Sequence, residues 1–234
     1  MNAGSLRGLH KGSTNNKYSP VLSVENVVRS IEVIEAILDE KDRVRENAIK
    51  MSRDIIRLAS DAITYTHLRE FDKAREAIEN LDRLVKEFLN TVAPHEELKH
   101  SGFVNNALTE YVEAKQFYSY VSSGKLLSAE ELGVHYVPYL LGLCDFVGEL
   151  RRFVIDKIRE RDINKCFECL RVMELIYNAL RKLDYPDALV PGLRHKVDVM
   201  RRLIEDLRAY LTDIATRIEL VESLQRLERQ TRSR

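Results

Sequence analysis

From Val24 to His67, apolar residues recur every three or four positions, as in VVRSIEVIEAIL and NAIKMSRDIIRLA, and no Gly or Pro occurs between Val21 and Ala93. That period is helical, and its extent predicts long helices. The pattern predicts a first helix over about Val24–His67 and a second over about Glu70–Thr91, with the joint at LREFDKAR. Pro94 interrupts, and a third helix follows over about Glu96–Val121, ended by Ser122-Ser123-Gly124. SAEELG suits a short helix, with Ser128 as N-cap, Glu131 three residues on and Gly133 as the stop. A fifth helix spans about Val137–Arg159, with Pro138 tolerated in its first turn, and a sixth spans about Asn164–Leu183. DYPDALVPGL is the clearest loop, and a last long helix runs over about Leu193–Glu228. No segment alternates with the period of a strand, and no internal repeat is visible. The expected fold is all-α: a single domain of about seven helices over residues 21–229.

The flanks read differently. Residues 1–20 are polar, hold three of the nine glycines, lack an apolar signal core and read as a disordered tail. Residues 230–234 read as a flexible C-terminus.

Composition narrows the class. Of 234 residues, 44% are hydrophobic and 32% charged, which is globular rather than disordered. No apolar run reaches the roughly 18 residues needed to span a bilayer, so no membrane role is expected. Three cysteines, Cys144, Cys166 and Cys169, are too few for a disulfide framework, and a reducing cytoplasm is the default location. Cys166 and Cys169 form a CxxC, but structural zinc wants four ligands, and packing is the simpler role. Balanced charge, 37 basic against 37 acidic residues, argues against indiscriminate nucleic-acid binding while permitting a local basic surface.

The candidate chemistry lies where acids interrupt apolar faces. In LTEYVEAKQFYSYV, Glu110 projects between Phe117 and Val121 at about 100° per residue, and Glu113 follows one turn on. The fifth helix, YLLGLCDFVGELRRFVI, is apolar almost all round and should be central. It carries Asp145 and Glu149, about 40° apart on one face. Four carboxylates in such surroundings need cations. Arg151, Arg152 or Lys115 could supply them as ordinary ion pairs. Alternatively, the acids form an oxygen cluster for Mg2+ or Mn2+. A di-iron bundle fits poorly, because it needs ExxH motifs on two helices, and neither constellation offers a histidine at that offset.

These segments carry a resemblance. SGFVNNALTEYVEA, YLLGLCDFVGELRR and LVPGLRHKVDVMRRLIEDL are similar, in that order, to segments of the translin family, over about Val24–Leu211. Within the family the chain resembles translin-associated factor X rather than translin, because Glu110, Glu113, Asp145 and Glu149 match its acidic positions one by one. The resemblance implies a metal-dependent endoribonuclease acting on single-stranded or partly structured RNA. It implies that the four acids are both the catalytic residues and the Mg2+ or Mn2+ ligands, with a metal-activated water as nucleophile. It also implies an all-α protomer in a hollow assembly, expected here as a homo-octamer. Partners would be RNA and, as a second nucleic acid, single-stranded DNA. The alternative is a non-catalytic nucleic-acid-binding scaffold of the translin type. A helical assembly protein whose acids make ion pairs ranks last.

Carboxylates cannot by themselves bind a polyanion. Arg43, Lys50, Arg53 and Arg57 fall in one sector of the first helix and are the candidate nucleic-acid-binding residues. Glu46, Asp54 and Asp61 share that sector, so a solvated, salt-bridged face competes with the binding reading. Arg194, Lys196, Arg201 and Arg202 form a second basic candidate.

Overall fold

The structure, a computed structural model, describes residues 20–232, with side chains for 24–230. The predicted tail over residues 1–20 thus lies outside it, apart from Pro20, as do residues 233 and 234 of the predicted 230–234 terminus. Among the described residues there are eight helices and no strand: α1 (Pro20–His67), α2 (Phe71–Val92), α3 (Glu96–Lys99), α4 (Gly102–Ser123), α5 (Ala129–Leu132), α6 (Tyr136–Arg159), α7 (Ile163–Leu180) and α8 (Leu193–Arg232).

Seven of these follow the hydrophobic periodicity. The eighth arises because the expected third helix is two. His100 leaves helical geometry, and Ser101 takes the extended backbone of an N-cap (φ −65°, ψ 155°), so α4 starts afresh at Gly102. Gly124 ends α4 in the left-handed region at φ 72°. Ser128 and Glu131 form the expected capping box on α5. The α1–α2 and α6–α7 connections each carry an arginine with positive φ, Arg69 at 60° and Arg161 at 64°.

The chain divides within α1 into two compact units, Met1–Val44 and Arg45–Arg234. The described part of the first is helical, with Val24, Val27, Val28, Ile31, Ile34 and Leu38 each about half exposed or more. The second holds the buried core, including Ile55, Leu81, Phe88, Phe117, Phe146, Leu150, Met173, Met200 and Leu211.

Helix α6 packs against α4, α7 and α8, and α4 packs also against α2. This is the central position expected of a helix apolar almost all round. Helices α4 and α6 approach closely at Gly142, where a Cβ would lie 2.6 Å from Val112 Cβ and 2.8 Å from the Thr109 carbonyl oxygen. On another face of α4, Tyr111 Oη and Lys115 Nζ donate to the two oxygens of Asp82 on α2, at 3.0 and 2.7 Å. With that face held by α2, Glu110 and Glu113 are turned toward α6. Among the described residues no helix is long and apolar enough to cross a membrane.

Candidate active site

Val112 lies between Glu110 and Glu113, and Asp145 is one turn beyond Gly142. The close approach of Gly142 to Val112 therefore sets two acids of α4 beside the acids of α6. The charges respond to one another. Burial pushes the Glu113 carboxyl up to about 8, and the negative charges of Asp145, Glu110 and Glu149 add to the rise. Burial also raises Glu110, with Asp145 and then Glu149 contributing, while Lys196 opposes the rise. The structure thus brings all four predicted acids into one electrostatic cluster, formed by two helices and poor in positive charge.

Of the cations the spacing suggested, Arg152 alone meets one of the four acids. Lys115 is engaged with Asp82. The Arg151 Nε is buried without a hydrogen-bond partner. Arg152 comes within 3.7 Å of Glu149, one turn away on the same helix. The short pairings come from distant elements. Lys196, in the first turn of α8, donates to both oxygens of Asp145 at 2.5 Å each. His67, the last residue of α1, places Nε2 2.5 Å from Glu149 Oε2.

The His67 side chain is 6% exposed, and its ring lies 4.4 Å from that of Phe117. Its Nδ1 is buried without a hydrogen bond, and the nearest acid to it is Asp156, at 3.9 Å. Sequence reasoning missed His67 because it lies outside both acidic motifs. It placed Lys196 on a basic surface instead of against Asp145. Neither assignment had a local signal.

As a metal centre the donor set has suitable chemistry: hard carboxylate oxygens and an excess of negative charge. Among the described residues, however, no group of three or more His, Cys, Asp or Glu side chains stands in a metal-holding arrangement. The CxxC cysteines are buried and free. Cys166 Sγ meets the Val154 and Asp162 carbonyls, and Cys169 Sγ lies 3.7 Å from the Tyr120 hydroxyl, as packing residues would.

Of the basic candidates, Arg43 belongs to the first unit, where it pairs with Glu40. Lys50, Arg53 and Arg57 lie in the second unit and are exposed, Arg57 meeting Asp54 at 2.9 Å. In the second group, Arg194 pairs with Asp184 at 2.9 Å and Arg201 approaches Glu205 at 3.8 Å.

Comparison with known proteins agrees with this architecture. The sequence model of the translin family matches residues 43–217. An uncharacterised protein of Methanocaldococcus jannaschii is 30% identical over 193 residues, 82% of this chain and 85% of that one. A translin-associated protein X homologue of Schizosaccharomyces pombe is 22% identical over 182 residues, 71% of this chain and 79% of that one. Among solved structures, AfC3PO superposes with a TM-score of 0.72 at 30% identity, covering 81% of this chain and 98% of its own. The complex of AfC3PO with duplex RNA superposes at 0.69 and 32% identity, covering 81% and 97%.

Proposed function

This chain belongs to the translin family, as a member of the translin and translin-associated factor X type, and from that premise we propose that it is a divalent-metal-dependent endoribonuclease. Its substrate would be single-stranded or partly structured RNA, cut inside a hollow homo-octamer in the cytoplasm. The observation that carries the reading is that Glu110, Glu113, Asp145 and Glu149, all half-buried on α4 and α6, act on one another as one cluster of negative charge. A scaffold that only bound nucleic acid would have no need for these carboxylates, which repel the ligand as well as one another.

In this reading Glu110, Glu113, Asp145 and Glu149 hold Mg2+ or Mn2+. The bound ion would supply Lewis-acid polarisation of a phosphate and activation of a water. The remaining work falls to the chain. His67, packed on Phe117, fixes the Glu149 carboxylate, and in the ion-free chain the α8 lysine holds that of Asp145. Glu113 keeps its proton while the cluster is short of positive charge and releases it when such charge enters.

An RNA partner is supported by the duplex-RNA complex of AfC3PO. An oligomer is supported by family membership and by apolar stripes that the folded chain leaves in water. One, in the first unit, comprises Val24, Val27, Val28, Ile31 and Ile34. Another, near the end of α8, comprises Leu220, Val221 and Leu224. Exposed apolar rows of this kind mark association surfaces.

The test is cleavage of end-labelled single-stranded RNA with Mg2+, with Mn2+ and with chelator, beside a Glu113→Ala/Asp145→Ala variant. The expected result is metal-dependent cutting that leaves 5′-phosphate ends and disappears in a variant that still assembles and binds RNA. RNA binding without cutting by the unmodified chain would favour the translin-type scaffold. A 2′,3′-cyclic phosphate on the product would overturn attack by water.

A further inference from the structure

The acid cluster already contains one cation, and it sits at the centre of the charge. The Lys196 ammonium spends two of its three donors on the two oxygens of Asp145, at 2.5 Å each. Asp145 is the acid that acts most strongly on both Glu110 and Glu113. Lys196 in turn is the positive charge that opposes the rise of both glutamates. One ammonium thus serves three carboxylates from a single seat. A divalent ion drawn to the same carboxylates would be drawn to that seat. With Lys196 in place, no three of the acids stand in a metal-holding arrangement.

We propose that Lys196 is a resident placeholder cation, which a divalent ion must displace from Asp145 before the four-carboxylate site can close around it. This rests on the reading of the acids as a metal site. Two features make displacement feasible. Lysine carries a compact charge on a flexible four-carbon stem, so its head can leave without moving the helix. The Lys196 side chain is 34% exposed and Asp145 28%, so water lies within reach of the ammonium. In the ion-free state the lysine keeps the acids from splaying apart. In the loaded state its charge is released toward solvent.

The experiment uses the full-length assembled protein and two readouts. The first is Mn2+ affinity by calorimetry, for the unmodified chain, Lys196→Met and Lys196→Arg. Lys196→Met should bind Mn2+ at least tenfold more tightly than the unmodified chain, and Lys196→Arg should not. The second is the rate at which an acylating reagent modifies Lys196 in the unmodified protein, read by mass spectrometry against exposed Lys125. That rate should rise several-fold at saturating Mg2+, while that of Lys125 stays constant. Tighter binding by Lys196→Met with no change in Lys196 acylation would mean simple charge repulsion and would overturn displacement. Equal or weaker binding by Lys196→Met would overturn it as well. If neither the unmodified chain nor Lys196→Met binds Mn2+, the metal reading itself fails, and the placeholder with it. Binding by Lys196→Met alone would mean that the lysine blocks the site without being displaced, and would overturn the proposal too.

Discussion

Nε2 of His67 lies 2.5 Å from Oε2 of Glu149, tying the last turn of α1 to the middle of α6 across 82 positions of sequence. The pair is largely out of water, with the His67 side chain 6% exposed and that of Glu149 21%. Removing the imidazole leaves Glu149 with only the longer approach of Arg152. His67→Ala should therefore lower stability by about 1–3 kcal/mol, the usual cost of stranding a buried polar partner. Urea unfolding of His67→Ala, Glu149→Gln and the double variant provides the check. The two changes should be clearly non-additive, and strict additivity would mean that the pair is not made in solution.

Glu113 ties stability to pH. Its folded carboxyl is pushed up to about 8 from an ordinary value of 4.5. Between those values the folded chain holds a proton that the unfolded chain has released. Stability is therefore greatest below about pH 4.5 as far as this group is concerned, and declines as pH rises toward 8. The slope from one proton is at most about 1.4 kcal/mol per pH unit. Glu113→Gln removes the proton from the balance. Its unfolding midpoint, measured without divalent ions, should fall less between pH 5 and 8 than that of the unmodified chain. Parallel midpoint curves for the two proteins would show that Glu113 titrates normally.

Two glycines of α6 make opposite predictions. At Gly142 an added Cβ would meet Val112 Cβ at 2.6 Å and the Thr109 carbonyl oxygen at 2.8 Å, so α4 and α6 must separate. Gly142→Ala should destabilise by about 1–3 kcal/mol. By moving Asp145 away from Glu110 and Glu113, it should also weaken whatever the four acids do together. At Gly148 nothing lies within 4 Å of the same atom. Gly148→Ala should be neutral or stabilising by about 0.5–1 kcal/mol, the helix preference for Ala. Thermal unfolding of the two single variants distinguishes the cases directly.

The exposed basic residues of α1 test the RNA path. If Lys50, Arg53 and Arg57 meet phosphates, reversing them to Glu should weaken RNA binding. On a single strand, the slope of log affinity against log salt should shrink by about 0.7 for each phosphate that is no longer neutralised. Arg43 is best reversed on its own, because it lies in the first unit and already pairs with Glu40. Titrations of labelled RNA at several salt concentrations decide the matter. Unchanged affinity and slope would leave these residues as a solvated, salt-bridged face, as the Arg57–Asp54 pair at 2.9 Å already suggests for one of them.

Helical class and the positions of the four acids were legible along the chain because both are local. Periodicity over a few turns marks a helix, and a carboxylate on an apolar arc marks a position in need of a partner. The turn chemistry was equally local: Ser128 and Glu131 cap α5 as their spacing demands. One boundary was misjudged, at Ser101, where the backbone turns extended although the apolar period continues across it.

Tertiary structure alone decided which partners those acids receive. Lys115, near in sequence, is held by Asp82, while Lys196 and His67 arrive from α8 and α1. Those meetings depend on how closely α4 and α6 approach at Gly142 and on which faces α1 and α8 present to them. Such distances are set by packing between elements far apart in the chain, for which residue spacing carries no signal. The sequence by itself determined that this protein is a bundle of long helices carrying four misplaced charges. Only the fold decided that those charges form one cluster, with a lysine at its centre and a histidine at its edge.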